Sequence, residues 1–266
     1  MTAAIHAIYR YPVKGLSAER LDRATLSPGE CLPHDRRFAI ALSSTVFDPQ
    51  RPEWLPKTHF AMLMRDEKLA RLHTRFDADT GTLWGSESDA QVLRAVITEP
   101  LGRAAAEKFF TDFLDDPRKG RLRIVAAPGH SFADARRRPN ATTGKYVSLI
   151  NGASIAALEG AIRAPVDPLR FRANVYFDGA PAWSELDWID GEIALGTARL
   201  RVLSPITRCA ATEVNPTTAQ RDLEIVAALE RAFGHINMGV YAEVAAGGEI
   251  AVGDVLVEPA PRLAPH

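Results

Sequence analysis

Cysteine is scarce in this chain: 266 residues carry two, Cys31 and Cys209. So distant a pair builds no disulfide framework, and no four-thiolate zinc or iron–sulfur site can be assembled from it. Any electrons the protein handles must then come from another molecule, or from a cofactor that cysteine clusters do not hold. An excess of either charge is missing too. The formal net charge is −1, which removes a global attraction to nucleic acid or to an anionic membrane. No apolar run approaches the ~18–20 residues that a membrane span requires. Residues 1–9 lack the basic start and apolar stretch of a secretory signal. These absences predict a soluble, cytoplasmic protein with no nucleic-acid or membrane partner.

What is present reads as many short strands. Ile5–Tyr11, Ala24–Leu26, Phe38–Leu42, Tyr146–Ile150, Ala173–Phe177, Glu192–Leu195, Ala198–Leu203 and Met238–Val244 are rich in β-formers or alternate apolar with polar. Leu69–Phe76 and Thr82–Trp84 predict a hairpin around Asp77–Gly81, while Asp48–Pro56, with three prolines, is irregular. Apolar residues at helical spacing predict helices over Leu101–Leu114, Ala153–Ile162 (capped by Asn151) and Leu223–Phe233. Glu249–Ala251 and Val255–Glu258 close the chain as short strands. The fold class expected is mainly β with peripheral helices (α+β), a closed β-barrel with helices packed outside. The polar break Asp115–Gly120 predicts a seam between a β-rich lobe over 1–117 and a second domain over 118–258, followed by a loose tail, 259–266.

The stretch that organises the chain is Leu203–Arg221. Apolar alternation (Ala198, Leu200, Val202) leads into Thr207-Arg208-Cys209, so Cys209 is expected where a strand gives way to a loop. A lone cysteine is ordinarily a small buried hydrophobe. The polar company of Thr207, Arg208, Thr212, Glu213 and Asn215 argues against that here, and a neighbouring cation favours a thiolate, as nucleophile or soft metal ligand. Cys31 reads as a turn-flanking residue.

Three other clusters gather anion-binding groups. Lys14-Gly15 follows a strand, Arg36 and Arg37 precede one, and Arg170, Arg172 and Asn174 alternate at period two, which predicts that they share one face of a strand. The helix beginning after Asn151, with Ser154 in its first turn, offers further donors. With a polar-flanked cysteine, these groups suit a phosphorylated heterocycle held near a thiolate, as in a metal–pterin cofactor. The basic run Arg136–Arg138 reads as a solvated surface loop. No histidine pair has metal-ligand spacing. His235, near a helix end, is left open as a site residue.

Y-P-V-K-G, D-R-R-F, R-F-R-A-N, T-R-C-A-A-T-E-V-N-P and the closing G-E-I-A-V-G-D-V-L, in this order, together resemble the MOSC family, found in the mitochondrial amidoxime-reducing component and at the C-terminus of molybdenum cofactor sulfurases. The resemblance implies an N-terminal MOSC β-barrel lobe followed by the MOSC domain. It implies molybdopterin as cofactor, with Cys209 as the molybdenum ligand and catalytic centre. Lys14, Arg36, Arg172 and Asn174 match cofactor-contacting positions, and Arg37, Arg170, Ser148, Asn151, Ser154 and Thr207 extend that set. The reductase branch implies reduction of small N-hydroxylated substrates with electrons from an external electron-transfer protein or reductase. The alternative is a non-catalytic carrier of sulfurated cofactor. Gly15, Asn215 and Thr218 depart from frequent Ser, Asp and Gly. The sulfurases' pyridoxal-phosphate lobe has no counterpart, so a pyridoxal-phosphate label would be inherited from the family alone.

Overall fold

The computed structural model describes residues 2–259, so the tail, from residue 260 on, lies outside the described residues. An eight-stranded sheet dominates. Its order is Leu256–Val257, Glu192–Leu195, Ala198–Thr207, Asn237–Ala246, Val147–Asn151, Val175–Asp178, Ala4–Arg10 and Glu19–Leu21. The two ends meet. Ala4 bridges Val255, Ile5 N–H donates to Asp254 O (2.9 Å) and Leu256 N–H to Ala3 O (2.8 Å), so the sheet curls until its ends hydrogen-bond to one another. Closure removes the unpaired edges that an open sheet would expose.

A bulge between Ile5 and Ala7 shifts the register of the first strand. Ile5 and Ile8 therefore face the barrel interior with Leu149, Phe177 and Leu200, while Ala7 and Tyr9 face the helices outside. Each fully buried aliphatic side chain contributes about 1.5–3 kcal/mol. One pair is parallel, Val147–Asn151 beside Val175–Asp178, which requires a crossover. Helix α2, Gly152–Ile162, supplies it, and Asn151 caps it by accepting from Ala153 N–H at 3.0 Å.

The second core belongs to the other lobe. Helix α1, Pro100–Leu114, starts with Pro100 in its first turn and buries Ala106, Phe110 and Leu114, spaced by four, against Phe38, Ile40, Phe76 and Leu83. The expected hairpin is there as His73–Asp77 and Thr82–Glu87, with Ala90–Val96 added as a third strand. Leu69–Arg71 is 3-10 helix rather than strand. The lobes interleave: the first strand of the chain sits in the large sheet, and Arg123–Val125 pairs back with Ala39–Ala41. Helix α3, Ile225–Phe233, packs outside the barrel. Among the described residues, no helix is long and apolar enough to cross a membrane.

The R-F-R-A-N stretch corrects the period-two expectation. Asp167 accepts from Leu169 N–H (2.8 Å) and Pro168 starts a 3-10 turn over Pro168–Phe171, so the strand begins only at Val175. Asp-Pro is a turn starter, and that local signal outweighs the alternation.

Candidate functional site

Cys209 stands where the Ala198–Thr207 strand ends, at the start of a 3-10 turn over Ala210–Glu213. That turn is fixed from several sides. Thr212 donates to Cys209 O from both N and Oγ1 (3.0 Å each), and Arg170 donates to Glu213 O (3.0 Å) and to Asp222 (2.5 Å). Arg221 donates to Ala210 O (2.8 Å) and, across the lobes, to Met64 O (2.8 Å) and Leu63 O (3.2 Å). The thiol is half-buried on the wall of a cavity of about 620 Å³ between the lobes, not in an aliphatic core.

Lys57 reaches it from the other lobe, its Nζ 3.1 Å from Cys209 Sγ. Burial alone would lower the Lys57 pKa. The hydrogen bond to the sulfur and the sulfur's charge outweigh this and raise it.

Eight lysine or arginine side chains line the cavity, against two carboxylates, Asp35 and Asp134. Lys14 pairs with Asp134 and donates to Phe132 O at 2.8 Å. Burial pulls the Lys14 pKa down, with Asp134 opposing. Arg36 and Arg172 lie over the ring of Tyr11, 4.6 and 4.3 Å from its centroid. Burial pushes the Tyr11 phenol up to about 12, so the ring is a neutral platform for two cations. Both arginines have positive φ, 48° and 53°, a conformation that costs non-glycine residues roughly 1–2 kcal/mol.

Their partners differ. Burial works against the Arg36 charge, but Asp35 at 2.5 Å outweighs it and holds the guanidinium firmly protonated. The Arg172 guanidinium makes no hydrogen bond or ion pair with any described residue beyond its contact with Tyr11, and burial lowers its pKa. Arg170 Nε is buried without a partner. Unspent donors on a cationic wall suit a multivalent anion.

Lys14, Arg36, Ser148, Arg170, Arg172, Asn174, Thr207 and Cys209 all line this cavity. Ser148 and Asn174 are largely spent on each other. Ser148 N and Oγ donate to Asn174 Oδ1 (3.1 and 2.8 Å), and Asn174 Nδ2 donates to Tyr9 O (3.1 Å), tying two strands to the residue that precedes a third. Three expected residues fall elsewhere. Arg37 lines a separate cleft beside His34, over the Phe38 and Phe76 rings. Asn151 is consumed capping α2 and donating to Pro181 O at 2.6 Å. Ser154 donates to the buried carboxylate of Glu185 (2.9 Å). For Asn151 and Ser154 a local polar demand claims the side chain before a ligand can.

The basic loop is exposed as expected, yet Arg136 and Arg138 also line the cavity, Arg136 lying 4.3 Å from the centre of the Trp54 ring. His235 packs against Trp183 instead of lining the cavity. Gly15 has φ 84°, so a serine there would be strained in this backbone. Asn215 accepts from Thr217 N–H (2.9 Å) and donates to Asp222 (2.6 Å), a contact that an aspartate would turn into like-charge repulsion. Lys57, Asp134, Trp54 and Tyr241 also line the site without having been expected from the sequence, while Arg208 was expected as the cation beside the thiol. Arg208 spends its guanidinium on Met238 O (2.9 Å) and Phe171 O (2.8 Å).

The two thiols are expected to react differently. Burial pushes the Cys31 thiol up to about 11, so at pH 7.5 roughly three in ten thousand are thiolate. A maleimide at that pH should modify one thiol quickly in metal-free protein. Cys209→Ala should remove the fast phase and Cys31→Ala should leave it. A fast phase that survives Cys209→Ala means the cavity wall does not present this sulfur.

Two family models match the chain, a MOSC N-terminal beta barrel domain over residues 2–117 and a MOSC domain over residues 130–257. Molybdenum cofactor sulfurase of Bos taurus is 37% identical over 73 residues, and that of Homo sapiens 36% identical over 74. Each stretch is 27% of this chain and 8% of the relative, so the chain spans a small part of the curated relatives it matches. Among solved structures, the YuaD protein of Bacillus subtilis aligns over 98% of each chain with a TM-score of 0.46 at 14% identity. YiiM from Geobacillus stearothermophilus aligns over 42% of this chain and 53% of its own, with a TM-score of 0.33 at 22% identity.

Proposed function

The chain belongs to the MOSC family, which is linked to molybdenum cofactor through its sulfurases, and from that premise we propose a cytoplasmic molybdenum-cofactor-binding oxidoreductase that reduces N-hydroxylated compounds with electrons from a separate partner. The observation that carries this reading is the Cys209 thiol on the wall of a cavity where eight cations meet two carboxylates. The residues fit the group. Cys209 is the soft ligand that molybdenum takes. Lys14, Arg36 and Arg172 would hold the phosphate, the unpartnered Arg172 guanidinium being an open place for it.

When bound, the cofactor supplies the two-electron reduction. The chain's own part is to hold, orient and protonate. The Arg170 and Arg221 bonds keep the Cys209 turn rigid. Converting N–OH to N–H consumes two electrons and two protons and releases water, and Lys57 Nζ holds a proton 3.1 Å from Sγ. A carrier of sulfurated cofactor is the second reading, favoured by the sulfurases among the relatives.

Protein made in cells that build the cofactor, assayed for molybdenum, pterin and benzamidoxime reduction with an artificial reductant, tests both. Bound cofactor with turnover is expected. Bound cofactor that leaves under mild conditions without turnover means the carrier, and absence of molybdenum and pterin overturns both.

A further inference from the structure

The lining of the cavity is not all cationic. Trp54 and Pro56 line it, one to three residues before Lys57, whose Nζ touches Sγ. Met62, Leu63 and Met64 line it as well, and Arg221 ties the Leu63 and Met64 carbonyls to Ala210 O, the residue after the cysteine. Two apolar patches of one segment, 54–64, thus lie next to groups that touch the sulfur or its turn. Neither suits a phosphate. An indole face and flexible thioethers suit a flat apolar body.

Trp54 has a further feature. Its Nε1 makes no hydrogen bond, and its face is covered by Arg136 at 4.3 Å, from an exposed loop. A guanidinium on a ring is displaced by another planar group at small cost where the cation can return to water.

We infer that the Trp54–Met64 walls are the substrate slot of this site, selecting N-hydroxylated compounds with a flat aromatic body over small aliphatic ones, with Trp54 as the specificity-determining residue. This rests on the reductase reading for the reaction but not for the binding. Of the four tryptophans, 54, 84, 183 and 188, only Trp54 lines the cavity. Benzamidoxime and acetamidoxime carry the same reacting group on an aryl and a methyl body, so their ratio isolates the slot.

The test uses the full chain loaded with cofactor, as parent, Trp54→Leu and Trp54→Phe. Benzamidoxime should quench the parent's tryptophan fluorescence at concentrations where acetamidoxime does not, and Trp54→Leu should abolish that quenching. The KM ratio of acetamidoxime to benzamidoxime should fall roughly tenfold in Trp54→Leu and recover in Trp54→Phe. Selective quenching with no turnover of either compound keeps the slot and removes the reductase reading. Turnover of both with a ratio indifferent to Trp54, or quenching that survives Trp54→Leu, overturns the slot and leaves the reductase reading standing.

Discussion

Cys209→Ala protein, made in cells that assemble the cofactor, is expected to carry at least roughly tenfold less molybdenum than the parent, because no second thiol lines the cavity to replace the sulfur and a neutral thioether does not match a thiolate's charge. Among the described residues there is no group of three or more His, Cys, Asp or Glu that could hold a metal ion instead. Cys209→Ser should fail nearly as badly, since a hydroxyl matches the thiol in size but not in softness. The loss should be specific. The Cys209 side chain makes no cap hydrogen bond to its own turn, and that turn is held by backbone carbonyls that Arg170 and Arg221 contact. The side-chain hydrogen bond that disappears is the donation from Lys57, which lines the cavity and can turn to water. Metal-free Cys209→Ala should therefore unfold within about 0.5 kcal/mol of the parent. Metal analysis beside urea denaturation checks both halves. Molybdenum retained in the alanine variant would remove the sulfur from the proposal, and a large loss of stability would return Cys209 to the core.

The sequence made Cys209 readable because a strand pattern breaks into polar residues around it, and strand ends are local features. The same locality misled at Arg170–Asn174. Period two suggested a strand, yet Asp167-Pro168 starts a turn and Arg172 bends back with φ 53°. Both arginines still reach the cavity, by a route that spacing could not show. Asn151 and Ser154 carried donors suited to a ligand, but a helix cap and a buried Glu185 took them. Lys57 was out of reach altogether. It sits just past a proline-rich irregular segment and meets Cys209 across 152 positions of sequence, a contact that exists only once the two lobes pack. A closed barrel was expected, but which segments close it is illegible for the same reason, since residues 3–5 find 253–256 through tertiary register alone.

Arg36 and Arg172 offer a paired test, because they share the Tyr11 ring and differ in their partners. Arg172 is held by no carboxylate, its pKa is lowered by burial, and Arg36 repels it. Arg172→Met keeps the apolar stem and removes a charge that the empty protein stabilises poorly. The cofactor-free variant is expected to gain about 0.5–1 kcal/mol. Its affinity for the phosphate-bearing cofactor should fall roughly 30-fold or more, since a desolvated charge pair loses one member. Arg36→Met should lose affinity in the same direction, but the buried Asp35 is then left without its cation, which costs about 2–3 kcal/mol of stability. Thermal or urea denaturation of the empty proteins, read beside pterin content after loading, separates the cases. Opposite stability changes with a shared loss of pterin mark Arg172 as a group the fold tolerates for the sake of its ligand. Equal destabilisation by the two substitutions would instead make Arg172 part of the scaffold, and the cationic wall would lose its one uncommitted guanidinium over Tyr11.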